Sequence, residues 1–206
     1  MPSVSVARLS SSLRHGLIPL TLLALLSLCL LCFVLAYLLS QYPWKRQHRA
    51  QTASGQYVVL LTNLLLADLL QSAAMSVGLH WLRIDAILAP SLPCFLQGWL
   101  LHTGDVSSAM FVLLIALHTF AALSVDYRVC NITLYWTVAA AWTLALLLTA
   151  TGVFMHGYAR SGHSNTYRPL IARSERYFMN AGAWCWVSEE YETSRLFLHY
   201  FCESVL

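Results

Sequence analysis

The chain has 206 residues, 58% of them hydrophobic and only 10% charged, with a formal net charge of +3. Soluble domains carry about 25% charged residues, so a water-facing surface over the whole chain is excluded. The Lys and Arg residues are scattered and form no long basic run, which removes the electrostatic footprint of a nucleic-acid-binding protein and leaves an integral membrane protein.

Leu17 to Leu39 is free of charge and reaches about 34 Å as a helix, enough to cross a bilayer with some tilt. Arg8, Arg14 and His15 precede it in the manner of a signal peptide. The apolar run exceeds the roughly 7–15 residues of such a peptide, and no small-residue cleavage site follows. A retained first helix over 17–39 is expected, ended by Pro43, with Trp44, Lys45, Arg46 and Arg49 at a membrane–water interface.

A second span is expected over 57–81, interrupted only by Asn63, Asp68, Gln71 and His80. Arg83, Asp85, Pro90 and Pro93 make a short loop, and Cys94 opens a third span over 94–125, long enough that it must tilt or protrude. A fourth covers 134–155 and holds Trp136 and Trp142. The extended polar region, 156–191, carries Arg160, Arg168, Arg173, Arg176, Glu189 and Glu190. The chain turns apolar again after Tyr191, and a fifth helix is expected to begin over about 195–206. The fold class is therefore all-α: one transmembrane domain, 1–206, built as an antiparallel helix bundle of four full spans and the start of a fifth.

Charge leaves the orientation open. Lys45, Arg46 and Arg49 outnumber Arg8 and Arg14, which favours an external N-terminus, yet the 156–191 loop on the N-terminal side carries four arginines.

Several polar residues stand where apolar ones would cost less. Asp68 lies near the middle of the second span, where an ionisable group costs at least a few kcal/mol and must face the bundle or water. It is either a structural cross-helix partner or part of a functional polar interior. His102, Asp105 and Ser108 follow at intervals of three and share one side of the third span; Ser107 suits close helix packing, and His118 lies further along. Cys29-Leu-Leu-Cys32 sits in an apolar run without a second pair at zinc spacing, so its thiols are expected to act as small packing hydrophobes. No metal ligand set, cofactor motif or catalytic residue is assigned; HExxH and GxSxG are absent from the sequence.

Asn63-Leu-Leu-Leu-Ala-Asp68 resembles the second-helix signature of rhodopsin-like G-protein-coupled receptors. Cys94 resembles the cysteine at the head of their third helix, Cys185 its partner in the next outer loop, and Trp142 their fourth-helix tryptophan. At the end of the third span, Leu117-His-Thr-Phe120 replaces the Asp-Arg-Tyr of that class, and Asp126-Tyr-Arg128 comes too late to substitute for it. Leu117-His-Thr-Phe120, Gly182-Ala-Trp-Cys-Trp186 and Arg195-Leu-Phe-Leu-His-Tyr200 together resemble fungal seven-transmembrane receptors of the cyclic-AMP-receptor-like and glucose-sensor-like type.

The resemblance implies that the chain is the front portion, a truncated form, of a seven-helix receptor in the plasma membrane with its N-terminus extracellular. It implies a Cys94–Cys185 disulfide; a polar core of Asn63, Asp68 and Ser108; a ligand side of Trp99, His102 and Asp105; and a G-protein side of His118 and Thr119. The partners it implies are a heterotrimeric G protein through its Gα subunit, an unidentified small-molecule ligand and membrane lipid. Two other classes compete: a fragment of a small transporter or channel, in which the acids and histidines relay protons, and a structural membrane protein without a ligand. Paired broken helices would favour the transporter.

Overall fold

In the computed structural model, residues 6, 8–49, 53–89, 91–124, 130–159 and 177–188 are described. Four helices are long and apolar enough to cross a membrane. α1 spans Ser11–Arg49, α2 Ala53–Ser76, α3 Gly78–Ile84, α4 Leu92–Ser124 and α5 Asn131–Ala159. A two-stranded antiparallel hairpin follows, β1 Phe178–Asn180 and β2 Cys185–Val187, with Phe178 opposite Val187 and Asn180 opposite Cys185. The expected start of a fifth helix over 195–206, and Asp126-Tyr-Arg128, lie outside the described residues.

Three boundaries differ from the sequence-based expectation. Pro43 does not end the first helix, which runs on to Arg49. A proline removes one hydrogen bond and crowds one carbonyl, which a long helix can absorb as a local bend instead of a stop. The second span is not one helix: it breaks at Val77, whose amide bonds back to Ala74 O at 3.2 Å in a tighter turn. Gly78 then passes against Thr21 of α1 so closely that a Cβ there would meet the Thr21 hydroxyl. The 156–191 region begins with the last turn of α5 and contains the hairpin, where only an outer loop was expected.

Local chemistry sets the helix ends. Ser10 Oγ accepts from the amide of Leu13 at 3.3 Å, and Ser91 Oγ accepts from that of Cys94 at 3.3 Å, so each serine caps a helix start. Pro93 fits the first turn of α4, where its missing N–H costs nothing. α3 ends at Asp85 in the left-handed region, φ 52°; aspartate tolerates this conformation better than most residues. The Asp85 carbonyl accepts from the amide of Leu9 at 3.2 Å, and its carboxylate lies 3.9 Å from Arg14. Val6 and Ile87 exchange both backbone hydrogen bonds, at 2.9 and 3.0 Å. The N-terminal segment is thereby laid along the α3–α4 turn, at the same end of the bundle as the hairpin.

Small residues bring the spans together. Ala67 and Ala74 of α2 are fully buried, and Gly104 of α4 lies against Gln71 and the Ala67 carbonyl. α4 packs its other side on α5, with Val106, Met110 and Phe111 against Ala141 and Ala145. In lipid there is no water to expel between helices, so close backbone approach of this kind is what holds them. The outward face of α1 is different: Leu22, Leu23, Leu26, Leu30 and Phe33 are exposed. Cys29 and Cys32 are exposed among them, so these thiols face outward with the leucines instead of packing inside the bundle.

Gly104→Leu tests the closest of these approaches. A Cβ at Gly104 would lie 2.6 Å from Gln71 Cγ and 3.1 Å from the backbone of both Ala67 and Gln71, and backbone cannot swing aside. The substitution should lower stability by about 1–3 kcal/mol, read as a fall in the unfolding temperature of the detergent-solubilised chain. An unchanged midpoint would show that α2 and α4 do not meet there.

Candidate functional site

The hairpin end holds the most constrained group of side chains. Cys94 at the head of α4 and Cys185 of β2 form a disulfide, with Cα atoms 5.2 Å apart and a sequence separation of 91. Closing a loop of that length is worth about 4–5 kcal/mol in a chain-entropy account. Beside it Gln97, fully buried, offers one side-chain oxygen to two donors: Trp81 Nε1 of α3 at 3.0 Å and the Cys185 amide at 3.1 Å. Sequence reasoning missed Gln97, because nothing in a lone glutamine tells which distant segment will use it.

The hairpin is also seated by shape. Phe178 lies on Gly98, where a Cβ would collide with its ring, and the Tyr177 hydroxyl lies against Gly152 of α5 in the same way. Tyr177, Phe178, Val187 and Val153 form a buried cluster on which Phe95, Trp99 and Trp186 pack. The Phe178 ring meets Phe95 edge-on, with centroids 5.6 Å apart. The hairpin turns at Gly182, φ 112°, whose amide donates to Asn180 Oδ1 at 2.9 Å.

Beneath this cover lie the three residues assigned to a ligand side. Trp99 joins the hairpin cluster, with its ring 5.9 Å from that of Phe95. His102, one turn below Gly98, is 1% exposed, and Asp105 is half-buried. All three descend α4 from the hairpin, but each turns further round the helix than the last, at about 100° per residue.

The three residues assigned to a polar core, Asn63, Asp68 and Ser108, are not hydrogen-bonded to one another. Asn63 Oδ1 accepts from Trp142 Nε1 of α5 at 2.9 Å. Ser108 Oγ accepts from Gln71 Nε2 of α2 at 3.1 Å. Asp68 joins neither pair; it is half-buried, and its carboxylate has no hydrogen-bond partner among the described residues. The reason is angular: Asn63 and Asp68 are five positions apart, about 140° around the helix. Asp68 instead falls between Gln71, which turns to α4, and Ser72, whose hydroxyl lies 3.0 Å from that of Ser27 on α1.

At the opposite end, His118 Nε2 lies 3.0 Å from Gln56 Oε1, and Gln56 Nε2 donates to Asn131 Oδ1 at 2.7 Å. This relay ties together the ends of α4, α2 and α5 away from the hairpin. Thr119, the other residue assigned to a G-protein side, is exposed, and its hydroxyl donates back to the Ile115 carbonyl at 2.7 Å. The pair therefore divides, His118 turned into the bundle and Thr119 out of it.

Comparison of the chain with protein-family models, with curated proteins and with solved structures finds no match.

Gln97→Leu should isolate the buried joint. It removes the acceptor for two enclosed N–H groups, each costing about 1–3 kcal/mol when left unpaired, so the unfolding midpoint should fall clearly while the disulfide still forms. Non-reducing peptide mapping should recover the Cys94–Cys185 peptide, with Cys29, Cys32 and Cys130 alkylated without reduction. Alkylation of Cys94 and Cys185 in folded protein would overturn the hairpin's attachment.

Proposed function

We propose that the chain is the front portion of a seven-helix G-protein-coupled receptor, of the fungal cyclic-AMP-receptor-like and glucose-sensor-like type that its motifs resemble. It would lie in the plasma membrane with its N-terminus outside. The observation that carries this reading is the Cys94–Cys185 bond, which fastens a hairpin over the head of α4. Structural disulfides persist in oxidising compartments and are rare in the cytosol, so the hairpin end is the outer one.

On this reading a small-molecule ligand enters beneath the hairpin, beside Trp99, His102 and Asp105. Its binding favours one helix arrangement over another, and the shift is limited by its differential affinity for the two. Asp68 and Ser108, at mid-depth between the two ends, are the polar groups through which α2 and α4 register the change. Thr119 is the exposed group that a Gα subunit would meet, while His118 holds the inner helix ends in register. The reading assigns no catalytic residue, metal or cofactor.

The break at Val77 is the one feature that favours a transporter. Transporter sites use broken helices in corresponding pairs, and α1, α4 and α5 run without a second interruption among the described residues. The break is also filled by α1 packing, Thr21 against Gly78.

Two measurements test the receptor reading. In the proposed topology the sequon Asn131-Ile-Thr133 is cytoplasmic, and the Asn131 amide is already held by Gln56, so no glycan should be attached on expression in microsomes. A glycosidase-sensitive mass shift lost in Asn131→Gln would invert the orientation. Co-purification from cells should recover a heterotrimeric G protein that GTPγS releases. Thr119→Asp should weaken this association several-fold, because it adds charge at an exposed position without breaking a contact between helices. Nucleotide-insensitive or absent association, with the disulfide intact, would remove the signalling role.

A further inference from the structure

The inner end of α1 carries a charge cluster that the receptor reading leaves unused. The helix has 39 residues, about 58 Å at 1.5 Å per residue, against a hydrocarbon core of about 30 Å. Its uncharged stretch ends at Leu39, and helix continues unbroken through residues 40–49. That extension holds Tyr42, Trp44, Lys45, Arg46, His48 and Arg49. At 100° per residue, positions 42, 45, 46 and 49 fall within one arc of about 100°.

The sequence around this stripe is basic without a local acid. No Asp or Glu occurs anywhere before Asp68 in the sequence. Among the described residues the carboxylates are Asp68, Asp85 and Asp105, the second at the hairpin end and the other two within the spans. At this end of α2, α4 and α5 the polar groups Gln56, His118 and Asn131 are hydrogen-bonded to one another.

Aromatic and basic side chains at the point where a helix leaves hydrocarbon meet lipid headgroups before they meet bulk water. We propose that residues 42–49 form a binding site for anionic phospholipid headgroups, phosphatidylserine or phosphoinositide, in the leaflet at the inner end of the bundle. The anionic leaflet of cells is the cytoplasmic one, so the same contact holds the N-terminus outside. The stripe needs nothing from the hairpin or from any ligand, and a purely structural membrane protein with this helix would bind the same lipids.

The experiment reconstitutes the full chain in nanodiscs of equal phosphatidylcholine and phosphatidylserine and counts each lipid retained after transfer to mild detergent. Near an anionic surface each basic residue is worth about five-fold in partitioning. The wild-type chain should therefore retain phosphatidylserine by more than ten-fold over phosphatidylcholine, and added salt should weaken the preference. The triple variant K45Q/R46Q/R49Q should lose it. The charge-conserving K45R/R46K/R49K should keep it, as should R8Q/R83Q at the opposite end. Mapping of the Cys94–Cys185 peptide in each variant checks that the bundle has formed. Equal retention of the two lipids by wild type, or an unchanged preference in the triple Gln variant, overturns the proposal. So does competition by inorganic phosphate or glycerophosphoserine as effective as that by phosphatidylserine vesicles, because the site would then bind free phosphate and not a membrane surface.

Discussion

Hydrocarbon offers a polar side chain no partner, so each one placed in a span must find its partner on another helix or on its own backbone. The bundle is organised around that constraint. Ser27 meets Ser72, Gln71 meets Ser108, Trp142 meets Asn63, and the Thr103 hydroxyl lies 3.4 Å from that of Thr149. These contacts join α1 to α2, α2 to α4, α2 to α5 and α4 to α5, one or two at each interface. Each is worth little alone, roughly 0.6 kcal/mol on average in a membrane protein. Their larger effect is on register: sliding a helix by one turn would leave two polar groups in an apolar setting, and small residues such as Ala67 and Gly104 would no longer meet.

At the hairpin end the solution changes from pairs to a single shared acceptor. Gln97 receives a donor from α3 and another from β2, while the disulfide lies one turn above it on α4. Glycines at 98 and 152 then supply room where Phe178 and Tyr177 enter. Attachment of the hairpin thus rests on a covalent bond, a buried polar joint and two close fits. Because the last three do not involve sulfur, the covalent bond reinforces a seat that the side chains already define. The N-terminal segment adds to the same end through Leu9 and Leu17, which pack with Trp81, Ile87 and both cysteines.

What could be read in the sequence follows from the range of the physics involved. Spans are set by local hydrophobicity, so the four long helices were legible, and the third was placed within two residues of α4 at its start. Helix continuity was not: Pro43 looks like a stop and is passed, whereas Val77 carries no breaking signal and marks the break. Both outcomes depend on neighbours, one on how a membrane helix re-satisfies its backbone, the other on α1 packing against Gly78. The hairpin was missed because its strands are three residues each, too short for an alternating pattern, and hold their shape through Gln97 and the helix glycines. The assigned residues were recognised from their types; their partners were not. Gln56, Gln71 and Gln97 each bridge two elements, yet glutamine in an apolar run says only that some partner exists.

Among the carboxylates of the spans, Asp68 is where this accounting does not close. It lies on the arc of α2 between the side that meets α4 and the side that meets α1, and neither helix offers it a donor among the described residues. The exposed face of α1 is apolar, and lipid satisfies it at no cost. The valley holding Asp68 is not equivalent, because a carboxylate at mid-span costs at least a few kcal/mol in contact with lipid alone. No other side chain in the middle of α2 imposes such a cost: Asn63, Gln71 and Ser72 have each been absorbed by a neighbour. The four helices therefore present two kinds of outer surface, one finished by lipid and one that requires water or a polar partner. That asymmetry is set by one residue and its angle on the helix.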